Sequence, residues 1–257
     1  MRDVTEFSVG DILRVSFSTY SDNLPSFLPL SLIAFAPSFA VVFLLDSSSV
    51  NNPLVADPTT LNPLSAEYWG FMMATMRESF VDLLCAFWLQ AGVAFGVVRH
   101  LRGGNPGYLE TFLGSLRMLF PAVLVTAVVA VATGIGFLLL VVPGVIVSLI
   151  LWVAVPAAVV ERSGLRALGR SAQLTDGYKG QIFGLALILF ILQSVVLAVV
   201  VMVSSTVLTD IAAVRVVAQS CGAVLSGIWA TAVAVTSHDL RVLSEGVDTR
   251  VVSRVFE

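Results

Sequence analysis

The sequence predicts an all-α integral membrane protein: six transmembrane helices in three hairpins, each preceded by a cytoplasmic interfacial elbow helix. Three observations carry this. Hydrophobic residues make up 57% of the 257 positions and charged residues only 12%, about half the share with which a soluble domain solvates its surface. The mean hydropathy of +0.95 is concentrated in runs of about 20 residues, the length that spans a hydrocarbon core as a helix. Basic residues lie almost entirely on one side of those runs.

The first elbow places Val9, Ile12, Leu13, Ser16, Phe17 and Tyr20 on one helical face and Asp11, Arg14 and Ser18 on the other, with Ser8 and Asp11 in capping-box positions. The first span runs from about Leu24 to Leu45. With Asp3, Glu6 and Asp11 ahead of it and no cleavage pattern, it is expected to be its own insertion signal. The loop from Asp46 to Tyr68 carries Asp46, Asp57 and Glu67 and no basic residue, and the second span follows from Ser79 to Val98. After Gly103-Gly104-Asn105-Pro106-Gly107, a second elbow sets Tyr108, Phe112, Leu116 and Leu119 against Glu110 and Arg117. The apolar run from Leu119 to Val160 is twice the length one span needs and contains Pro143-Gly144. It reads as a tight hairpin of spans Leu119–Leu140 and Gly144–Val160. The third elbow opposes Leu165, Leu168 and Ala172 to Arg162, Arg166, Arg170 and Gln173. Spans at Ile182–Ser204 and Val216–Thr236 complete a single membrane domain over 1–257, divided into units at about 3–98, 99–160 and 161–240.

Orientation follows from the cations. Arg2, Arg14, Arg99, Arg102, Arg117, Arg162, Arg166, Arg170, Lys179, Arg241, Arg250 and Arg254 lie on one side, and only Arg77 and Arg215 on the other. Both termini are therefore expected in the cytoplasm, with the protein in the cell membrane.

Chemistry-bearing constellations are scarce. His100 and His238 stand outside any metal-ligand spacing, and no nucleophile motif, P-loop or pair of pocketed carboxylates occurs. The chain therefore reads as non-enzymatic, without cofactor or metal, and its net charge of −3 points to no nucleic-acid partner. Cys85 and Cys221 lie in apolar stretches and read as packing residues. Arg77, Glu78 and Asp82 form a charged group expected at the outer end of the second span. Asp82, Gln90, Gln193 and Gln219 are the candidates to line a cavity, although interhelical hydrogen bonds would explain the glutamines equally well. Gly92 with Gly96, and Gly222 with Ser226, have the small-x-x-x-small spacing of close helix contacts, and Gly134 and Gly136 could loosen the third span. At the cytoplasmic face, Glu161, Arg162, Arg166, Arg170 and Lys179 form a candidate surface for anionic lipid headgroups or a membrane-protein partner.

The central segment holds Pro143, Gly144, Glu161, Ala167, Leu168, Ser171, Leu174 and Gly177. This pattern resembles a family of uncharacterised prokaryotic integral membrane proteins related to the membrane domain of glycerophosphoryl diester phosphodiesterase. The resemblance implies an outer Pro-Gly turn, a glutamate closing the fourth span and an elbow ending at the glycine. It implies no phosphodiesterase activity for this chain alone, which lacks the phosphodiesterase barrel. The expected function is that of a lipid- or partner-associating membrane module. The alternative is a small permease or lipid transporter with a cavity between the hairpins.

Overall fold

Wherever the sequence runs apolar the chain is helical, since a backbone without water must satisfy its own N–H and C=O groups. The computed structural model describes residues 7–45, 64–101, 113, 119–161 and 163–245, and no strand occurs among them. The helices are α1 (Val9–Asp22), α2 (Leu24–Ala34), α3 (Ala36–Leu45), α4 (Ala66–Leu101), α5 (Leu119–Leu139), α6 (Val141–Ile150), α7 (Ala154–Glu161), α8 (Arg166–Leu174), α9 (Lys179–Val207) and α10 (Ile211–Glu245). Among the described residues five segments are long and apolar enough to cross a membrane: Leu24–Val41, Tyr68–Val98, Val141–Glu161, Lys179–Val207 and Ala213–Ser244. A shorter apolar stretch, Leu124–Leu139, belongs to α5. Most of the second elbow, the loop at 46–63 and Arg162 lie outside the described residues.

Prolines explain where the long apolar runs depart from single rods. The first run breaks at Phe35 into α2 and α3, because Pro37 offers no N–H to the carbonyl four residues back and crowds it. The run expected to turn at Pro143-Gly144 breaks instead at Leu140, whose extended backbone precedes α6. Pro143 sits in the first turn of α6, where a missing N–H leaves nothing unpaired. Gly144 serves the approach of the two arms: a Cβ on Gly136 would lie 2.9 Å from Gly144 Cα. Gly136 therefore tightens this hairpin and does not loosen α5. A second break at 151–153 separates α6 from α7, four residues ahead of the ring of Pro156.

Two helices outrun the expected spans. α4 has 36 residues and α10 has 35, roughly 50 Å each at 1.5 Å per residue, because their polar ends remain helical beyond the apolar part that hydropathy detects. They share the largest helix–helix contact among the described elements. Leu89, Val93, Ala94 and Val97 of α4 pack with Ala223, Ala230, Ala234 and Val235 of α10, and Phe27 and Leu30 of α2 join the same core. The small residues of α10 let the backbones close. Gly92 and Gly96 are buried in this bundle, whereas a Cβ on Gly222 would meet nothing within 4 Å.

α1 is a capped amphipathic helix. Ser8 Oγ accepts from Asp11 N at 3.4 Å, Ile12, Ser16, Thr19 and Tyr20 are buried, and Phe17 is left exposed. α9 is the opposite case. Its apolar window is only 6% buried, with Ile182, Leu185 and Leu189 on the inner edge and Phe183, Leu187, Phe190 and Ile191 exposed. A helix apolar all round with one packed edge suits a lipid boundary.

Candidate functional site

Two polar groups interrupt the apolar bundle, one toward each end. The first is built on matched spacings: Glu78 and Asp82 are one turn apart on α4, and Arg215 and Gln219 one turn apart on α10. Arg215 Nη2 donates to Glu78 Oε1 at 2.8 Å, with side-chain exposures of 8% and 19%. One turn further in, Gln219 Nε2 donates to Asp82 Oδ1 at 2.9 Å and to Ser38 Oγ at 2.7 Å, and Ser38 Oγ donates to Asp82 Oδ1. Both cross-links join residues 137 positions apart, so α4 and α10 run parallel and in register. Ser38 reaches the cluster because it follows the break at Phe35 on α3.

This arrangement spends polar groups on one another. Asp82 and Gln219, two of the four candidate cavity residues, are brought together, while no hydrogen bond links Gln90 or Gln193 to them. Gln90 is half-buried on α4, and Gln193 continues the Leu185–Leu189 edge of α9. Arg77 is exposed, and it is Arg215, from the other end of the sequence, that pairs with Glu78. Asp82 also lies deeper than expected, midway along α4, since that helix begins at Ala66.

The second group closes the other end. Glu161, the last residue of α7, faces Arg170 Nε of α8 at 3.3 Å and Arg241 Nε of α10 at 3.5 Å. α8 is docked by the break ahead of it. The Ile150 carbonyl loses its helical donor because Ala154 N–H bonds Leu151 instead. Ser171 Oγ donates to that carbonyl at 2.7 Å, and Thr175 Oγ1 lies 3.4 Å from it. A carbonyl without water must find such a donor, and the requirement sets the rotation of α8. Its buried face is Ala167, Ser171 and Leu174, Leu168 packs partly buried beside them, and Leu165 is exposed. Gly164 and Gly177 lead into and out of this element with φ of +54° and +82°, a region costly to other residues. Arg166 is exposed, and Lys179 Nζ pairs with Asp176 at 3.1 Å rather than extending the stripe of arginines.

Cys85 is buried and Cys221 half-buried, both as free thiols. Among the described residues no three of His, Cys, Asp and Glu converge as a metal-ligand set. Compared with protein-family models, curated proteins and solved structures, the chain finds no match.

Proposed function

We propose that the chain is a non-enzymatic, six-span module of the cell membrane that associates with anionic lipid headgroups through its cytoplasmic end. One observation carries the reading: the intramembrane Glu78–Arg215 and Asp82–Gln219–Ser38 groups are bonded to each other, while Arg170 and Arg241 meet at one helix end on the single carboxylate of Glu161. A permease would instead need Gln90 and Gln193 to share a hydrated path with Asp82 and Gln219. The Pro143–Gly177 pattern supports kinship with the family it resembles, because its members have physical tasks here. Glu161 gathers arginines, Ser171 caps a freed carbonyl, and Gly177 provides a left-handed turn.

The parallel register of α4 and α10 supports six crossings. Two helices pointing the same way across a bilayer must be separated by an odd number of crossings. α6–α7 and α9 supply two, so α5 has to supply the third. Placing the Glu161 end in the cytoplasm puts Arg166, Arg170, Lys179 and Arg241 there and Arg215 outside, in line with the positive-inside bias.

In a Cys85→Ala, Cys221→Ala background, a single cysteine at position 57 is expected to react with an impermeant maleimide from outside, and one at position 166 only after permeabilisation. Reaction of position 57 solely from the cytoplasmic side would reverse the assignment. The lipid reading predicts that the chain, extracted in mild detergent, carries anionic phospholipid several-fold above its share of the parent membrane, as measured by mass spectrometry of retained lipid. A retained composition equal to that of the membrane would sink it.

A further inference from the structure

We infer that Asp82, Gln219 and Ser38 form a site for a sodium ion inside the membrane, independent of any lipid at the cytoplasmic end. The tally of donors and acceptors in this cluster carries it. Gln219 spends the N–H groups of its amide on Asp82 Oδ1 and Ser38 Oγ, and the Ser38 hydroxyl donates to that same Oδ1. No donor is left over. Asp82 Oδ2 and Gln219 Oε1 accept no hydrogen bond among the described residues, so the cluster closes with acceptor oxygens in excess, one of them on a carboxylate. No described basic side chain pairs with Asp82. Arg215, one turn outward on α10, bonds Glu78, Arg77 is exposed, and Cys85, about one turn inward, presents its thiol to the Ser38 N–H.

Depth and charge select the ion. Asp82 lies within the apolar Tyr68–Val98 segment and is bonded to Gln219, which stands eight residues past Ile211, about 12 Å along α10 at 1.5 Å per residue. A side chain as short as aspartate cannot carry its carboxylate that far to the headgroups. An unopposed carboxylate in hydrocarbon is costly, and a single positive charge offsets it. A divalent ion would overshoot, and among the described residues no three of His, Cys, Asp and Glu converge to hold one. Oxygen ligands suit a hard cation. Gln219 Nε2 is 2.7 Å from Ser38 Oγ and 2.9 Å from Asp82 Oδ1, so half a rotation of the amide sets Oε1 among those oxygens, where a cation holds the acceptors together. Spacings this short favour sodium over the larger potassium. Ser38 is 2% exposed, whereas Asp82 and Gln219 are half-buried, which gives the ion access from one side.

The test follows melting of the purified full-length chain in detergent in sodium, potassium or choline chloride at equal ionic strength, together with equilibrium binding of radioactive sodium. Wild type should melt about 4 °C higher in sodium than in choline, the shift produced in a chain of this length by an ion at about ten times its dissociation constant. Potassium should give a clearly smaller rise. Asp82→Asn keeps an acceptor for Ser38 and Gln219 but no charge, so it should fold, bind no sodium and melt equally in sodium and choline. Ser38→Ala and Gln219→Ala each remove an oxygen ligand and should raise the sodium concentration for half-saturation about fivefold. Asp176→Asn removes an exposed carboxylate elsewhere and should retain the full sodium shift. Equal melting of wild type in sodium and choline, an equal rise in potassium, or a sodium shift that survives in Asp82→Asn would overturn the site. Should Asp82→Asn fail to fold, unchanged half-saturation in both Ser38→Ala and Gln219→Ala would overturn it.

Discussion

Arg215→Ala is expected to destabilise the protein in detergent by about 3 kcal/mol or more, the cost of leaving one member of a buried ion pair without its partner. Arg215 is 8% exposed and Glu78 19%, so water can do little to replace the lost bond. The informative comparison is a double-mutant cycle. Glu78→Leu alone should also be costly, whereas Glu78→Leu with Arg215→Leu should recover most of the loss, because two apolar side chains in lipid need no partner. Melting of the four proteins would show strongly non-additive losses. Simple additivity would mean that the pair does not hold α4 to α10. Asp82 provides a milder companion: Asn at this position still accepts from Ser38 and Gln219, while Ala leaves Ser38 without its acceptor and Gln219 with Ser38 alone.

Gly227→Ala should cost about 1 to 3 kcal/mol by overpacking, although alanine is the better helix former. A Cβ at this position would lie 2.6 Å from Ser31 Oγ, 2.7 Å from Tyr20 Cε2 and 2.9 Å from the Tyr20 hydroxyl oxygen. Three helices meet here, with α1 and α2 both pressed against α10. Neither neighbour can yield readily. Ser31 Oγ is held by the Phe27 carbonyl at 2.8 Å, and Tyr20 is 4% exposed with its hydroxyl unbonded. Burial also raises the Tyr20 phenol above its usual range, and the nearby Ser31 hydroxyl offsets part of that, so at neutral pH the ring packs as an uncharged body. Gly222→Ala serves as the control, since its Cβ meets nothing within 4 Å, and should be neutral or slightly stabilising. Equal melting temperatures for the two variants would show that the α1–α2–α10 contact is not close.

Helix α1 was legible because its signal is local: the Ser8 cap and the burial of Ile12, Ser16 and Tyr20 depend on residues within one or two turns of each other. Helix α8 was legible as a helix, but its anchor on the preceding break was not. That anchor is the Ile150 carbonyl, more than 20 residues before Ser171, which Ser171 Oγ and Thr175 Oγ1 reach. Pro143 and Gly144 mark the hairpin correctly as a region. The backbone break falls at Leu140, because a proline is accommodated inside the first turn of the helix it opens.

By itself, the sequence determined that the chain is helical and apolar enough to cross a membrane several times, since hydropathy, proline placement and caps act over a few residues. It also carried Glu78 with Asp82 and Arg215 with Gln219 at equal one-turn spacings, but nothing local says that these pairs meet. That was decided by the tertiary structure, which sets α4 and α10 parallel across 137 positions and bends the first apolar run so that Ser38 joins them. Likewise Glu161 and Arg170 are close in the chain, whereas Arg241 joins them only because α10 ends beside α7. The physical reason is common to both. In a medium without water, a charge or an amide must find its partner wherever packing places one, and packing of near-featureless apolar helices is a property of the whole bundle rather than of any segment.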